Sequence, residues 1–63
     1  MSLFIEKKYS VIIVFFENKK MEYVTVAGPF LTMKEAERTL QKLQTEILVE
    51  NGVWSISENI NIR

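Results

Sequence analysis

The chain has 63 residues, with eight Lys/Arg, eight acidic residues that are all glutamate, a formal charge of zero, and neither cysteine nor histidine. That length allows one small domain, residues 1–63, which buries only about 60% of the surface its unfolded chain exposes. Disulfide staples, thiolate metal sites and imidazole metal sites are excluded, and the neutral balance argues against a dedicated nucleic-acid binder. Oligomerisation is the helper left for so small a core.

Residues Leu3 to Phe16 read as the first strand, with Glu6-Lys7-Lys8 as a possible irregular break. From Tyr9 onward the density of β-branched and aromatic residues favours a strand over a helix. Within it, Val11, Ile13 and Phe15 alternate with Ile12, Val14 and Phe16, so both faces of this strand are apolar. Glu17-Asn18-Lys19-Lys20 is a polar interruption at hairpin distance, with a turn-tolerant Asn. The second run, Met21 to Ala27, alternates Val24 and Val26 against Tyr23, Thr25 and Ala27.

Gly28-Pro29 is expected to stop this ladder, because proline has no amide hydrogen and glycine frees the backbone. Thr32-Met33-Lys34-Glu35 fits a capping box, with Thr32 as N-cap and Glu35 at the third helical position. Met33, Ala36, Leu40, Leu43 and Ile47 then share one helical stripe. Asn51-Gly52 is the expected stop, either as a left-handed cap at Gly52 or as an Asn-Gly hairpin. Val53 to Ile62 reads as a one-sided strand. Trp54, Ile56, Ile60 and Ile62 face one way, and Val53, Ser55, Ser57, Asn59 and Asn61 the other.

The expected fold is α+β: a single small β-β-α-β domain whose three-stranded antiparallel or mixed sheet has order 2-1-3, with one helix on one face. A right-handed crossover after the hairpin leaves strand one central and antiparallel to both neighbours, which suits its unbroken apolar run.

Candidate chemistry is sparse. Without His, Cys or Asp, acid–base work falls to Glu, Lys or Tyr, and no glutamate pair is placed in a pocket by the pattern. No catalytic, cofactor-binding or metal-ligating residues are therefore assigned, and the chain is expected not to be an enzyme. Lys34, Arg38 and Lys42 form a helical stripe nearly opposite the apolar one, a possible partner-binding ridge. Glu35, Glu37 and Glu46 flank it and partly cancel its field, so a solvated outer face is the competing account. No apolar run approaches the roughly 20 residues that span a bilayer, so no membrane partner is expected and the cytoplasm is the expected location.

Val26-Ala27-Gly28-Pro29-Phe30, followed by Glu35-Ala36-Glu37 and Leu40 to Leu43, resembles the GPF-x-x-x-x-E-A-E-x-x-L segment of SPOR domains. Those domains are built from two βαβ-like halves and bind denuded septal peptidoglycan. The chain departs from that pattern in lacking a second helix and in beginning with a hairpin, and no binding residues are carried over.

One helix covers only one face of a three-stranded sheet. A dimer interface is therefore expected among Val11, Ile12, Ile13, Val14, Phe15, Phe16, Tyr23 and Val24, with a second copy of the chain as the partner. The resulting reading is a non-catalytic interaction module acting as a homodimer. The alternatives are a small regulator or inhibitor of phage or mobile-element type that binds a larger protein, and a nucleic-acid binder using the basic ridge.

Overall fold

The computed structural model describes residues 5–62. Its elements run β1 (Ile5–Glu17), β2 (Lys20–Phe30), α1 (Met33–Glu46) and β3 (Gly52–Ile62). The three strands form one sheet in the order β2-β1-β3, and β1 is antiparallel to both neighbours. The α+β fold, the strand order and the single helix are those expected. Leu3 and Phe4, expected to begin the first strand, lie outside the described residues.

The hairpin closes through a two-residue turn. Asn18 and Lys19 both take positive φ, 51° and 65°, between the paired residues Glu17 and Lys20. Two left-handed residues in a two-residue loop match the twist of the flanking strands. Asn tolerates that conformation well, whereas Lys19 pays a steric penalty for its Cβ.

Three local expectations are corrected. First, β1 has no break at Glu6-Lys7-Lys8, because β3 pairs with it in unbroken register from Ile5↔Ile62 to Phe15↔Gly52. Lys7 reaches diagonally to Glu58 (3.7 Å) and Lys8 to Glu6 (3.4 Å), so the charges decorate the strand without interrupting it. Secondly, β2 continues through Gly28-Pro29 to Phe30. It does so by irregular pairing: Ile12 pairs with Thr25, Val11 with Ala27 and Tyr9 with Phe30, so β2 takes up an extra residue at each of two steps. The shift sets Ala27 opposite Val11 rather than on the side of Tyr23 and Thr25.

Thirdly, the helix stops at Glu46, well before Asn51-Gly52. Its start is as expected, with the Thr32 side chain accepting from the Glu35 amide (3.2 Å). Its end is weak for visible reasons. Glu46 sits at the negative end of the helix dipole, no basic residue lies in the last turn, and the Thr45 hydroxyl donates to the Lys42 carbonyl (2.7 Å). Asn51, not Gly52, takes the left-handed conformation, with φ of 60°. Gly52 begins β3 and is needed for another reason. A Cβ there would stand 2.6 Å from Val49 Cγ1, 2.9 Å from Ile13 Cγ2 and 3.0 Å from Phe15 Cε1.

That convergence shows which side the helix covers. Val49, coming off α1, meets Ile13 and Phe15 over Gly52, so the helix lies over the face of Val11, Ile13 and Phe15. Val11 and Ala36 are wholly buried, and Leu40, Leu43, Trp54 and Ile56 are half-buried on that side. Met33 and Ile47, the ends of the helical stripe, are 40% and 41% exposed. The helix is shorter than the sheet, and Ile60, opposite Lys7, extends beyond its cover.

Candidate self-association face

The face away from the helix is built from cross-strand rows that follow from the two registers. Tyr23, Val14 and Val53 form one row across all three strands. On the hairpin side the next row is Met21 and Phe16, and on the other side it is Thr25, Ile12 and Ser55. Ser10 with Ser57, Lys8 with Asn59, and Glu6 with Asn61 complete the face toward the far end. Directly opposed residues share a face, and alternate residues along a strand return to it.

This face has no covering element among the described residues. Phe16 (68%), Met21 (67%), Tyr23 (65%) and Val53 (59%) are all exposed. Among the described residues of this side only Ile12 is buried, between its sheet neighbours, and Val14 is half-buried. Among the described residues the charges on the face are Glu6 and Lys8, which pair with each other. What remains is an apolar block at the hairpin end grading into an uncharged Ser/Thr/Asn surface. Such a surface can associate through buried apolar area and neutral hydrogen bonds.

The eight residues expected at an interface divide accordingly. Val14, Phe16 and Tyr23 lie on the open face, with Ile12 beneath them. Val11, Ile13 and Phe15 lie on the helix side; Val11 and Ile13 are buried there and Phe15 is half-buried, so all three serve the chain's own core. Val24, opposite Ile13, shares the helix side but is 55% exposed at the sheet edge. Met21 and Val53 share the open face but are not among those eight residues. Alternation with Tyr23 was enough to find Met21. Alternation puts Val53 with the polar residues of its strand, and its partnership with Val14 depends on the β1–β3 register.

Lys34, Arg38 and Lys42 are exposed along the outer side of α1, and none forms an ion pair among the described residues. Glu35, Glu37 and Glu46 are exposed on the same helix. A half-open depression of about 410 Å³ at the hairpin end is lined by Phe15, Phe16, Glu17, Glu50 and Asn51. Among the described residues no polar or charged side chain is buried, and no helix is long and apolar enough to cross a membrane.

Comparison with protein families, known proteins and solved structures finds no match to this chain. The SPOR-like segment therefore stands as a local likeness. In this fold it forms the bulged end of β2 and the capped start of α1.

Proposed function

We propose that the protein is a non-catalytic, cytoplasmic interaction module whose working form is a homodimer joined through the open face of its sheet. The observation that carries this reading is the row Tyr23–Val14–Val53 with Phe16 and Met21 beside it, apolar and uncovered. Large contiguous apolar patches on monomers mark interaction sites. A second copy suits this one because, among the described residues, the face carries no charge apart from the internally paired Glu6 and Lys8, so these rows meet their own image without like-charge repulsion. Size agrees as well. The chain extends 48 × 28 × 11 Å, which leaves room on a flat face for the roughly 800 Å² per partner of a stable interface.

The test is mass in solution. Light scattering at micromolar concentration should give two chains, and the unfolding midpoint should rise with protein concentration. A one-chain mass with a concentration-independent melt removes the reading.

A second reading, a small regulator docking on a larger protein, draws on different residues. Leu31 (69% exposed) precedes the helix and Leu48 (91%) follows it, and a dimer through the sheet leaves both uncovered. Leu48→Asp should then abolish capture by that partner without changing the dimer mass. Unchanged capture by this variant rejects the second reading.

A further inference from the structure

We infer that the two copies stack with their two-fold axis running along β1, so that β2 of one chain lies over β3 of the other. This inference rests on the homodimer reading above and adds the geometry that the open face favours.

The face is graded across its width. On the β2 side stand Met21, Tyr23 and Thr25; on the β3 side stand Val53, Ser55 and Ser57. Met21 and Tyr23 are bulky and exposed, whereas Val53, Ser55 and Ser57 are smaller. Facing layers pack densely when large side chains oppose small ones. An axis along β1 achieves this, setting Tyr23 of each chain over Val53 of its partner and Met21 beside them. An axis across the strands instead sets Tyr23 over Tyr23 and Val53 over Val53. The layers are then held apart over β2 and left with a void over β3, forfeiting dispersion contacts.

The rows lead to the same arrangement. With the axis along β1, each row meets the same row of the partner, so apolar block meets apolar block while the Ser/Thr/Asn rows meet each other. The Ser/Thr rows next to the apolar block can then be used as well. The apolar block alone spans only two rows, about 7 Å apart, and is too small for a standard interface. Aligned sheets cross at about −30°, so the far ends with Glu6 and Lys8 splay apart rather than stack. The product is a six-stranded double layer with a helix on each outer surface.

The chain has no cysteine, so a single introduced thiol reports one position. Ile60 suits this purpose because it is exposed on the helix side, away from the interface, near the far end of β3. It lies seven residues beyond Val53, a rise of about 23 Å. Spin-labelled Ile60→Cys should give one short inter-chain distance, on the order of 20–30 Å, because both far ends lie at the same end of the dimer. A distance of roughly 45 Å or more, expected for an axis across the strands or for edge-to-edge pairing through β2, overturns the inference. Light scattering on the same sample separates the two failures. Two chains with a long distance reject the axis alone, whereas one chain rejects the homodimer reading itself.

Discussion

Gly28 runs so close to Ser10 that a Cβ on it would stand 2.9 Å from the Ser10 hydroxyl and 3.0 Å from the Ser10 Cα. Its φ of 119° is also one that residues with a Cβ rarely adopt. These constraints explain how β2 passes the point where Gly-Pro was expected to end it. The glycine lets the strand press against β1 while the register shifts. Gly28→Ala should therefore cost about 2–3 kcal/mol, combining backbone strain with the clash. A thermal melt should fall by on the order of 10 °C; an unchanged melt means that the two strands separate there.

The opposite effect is expected at Lys19. Its φ of 65° strains a side chain that makes no ion pair among the described residues. Lys19→Gly creates the Asn-Gly pair favoured by such turns and should stabilise by about 0.5–1 kcal/mol. The urea midpoint should rise; a fall means that the entropy glycine adds to the unfolded chain outweighs the strain relieved.

At the helix start, Thr32→Ala removes the acceptor of the Glu35 amide. The loss should be about 1 kcal/mol, while Thr32→Ser, which keeps an oxygen there, should lose a few tenths at most. Equal losses from both substitutions assign the effect to packing of the threonine methyl group instead.

Leu40 and Leu43 are half-buried under the sheet rather than fully enclosed. Leu40→Ala and Leu43→Ala should accordingly fall near the low end of leucine truncations, about 2 kcal/mol each. Calorimetry showing less than half that loss would place the helix off the sheet.

Phe15 and Phe16 are neighbours on opposite faces. Phe15→Glu puts a charge beside Val49 and Ile13 at a half-buried position and should destabilise the fold by about 1–3 kcal/mol, because a carboxylate replaces apolar contacts of the core. Phe16→Glu puts the charge on the open face, where the side chain is 68% exposed. It should leave the far-ultraviolet circular dichroism unchanged while weakening self-association at least tenfold. Unchanged association removes Phe16 from the proposed interface.

The residues alone determined the element order, the central place of β1 and the start of the helix. Each rests on a local rule: the paired apolar faces of Val11 to Phe16, the polar break at Asn18-Lys19, and the Thr32–Glu35 spacing. The lack of cysteine and histidine left oligomerisation as the expected helper for so small a core, and the even balance of charge argued against a dedicated nucleic-acid binder.

Tertiary structure decided which face of β1 is left open. Alternation is symmetric, so Val11, Ile13 and Phe15 cannot be told from Ile12, Val14 and Phe16 until Val49 and α1 choose a side. The chain ends of the elements were undecided for the same kind of reason. Gly28-Pro29 breaks a regular ladder but suits a bulged one, and only the close approach to Ser10 makes the bulge worthwhile. Gly52 looked like a helix cap, yet it is required because Val49, Ile13 and Phe15 converge on it from distant parts of the chain. The partnership of Val53 with Val14 likewise depends on a pairing that spans the length of the sequence, which a pattern read along one strand cannot contain.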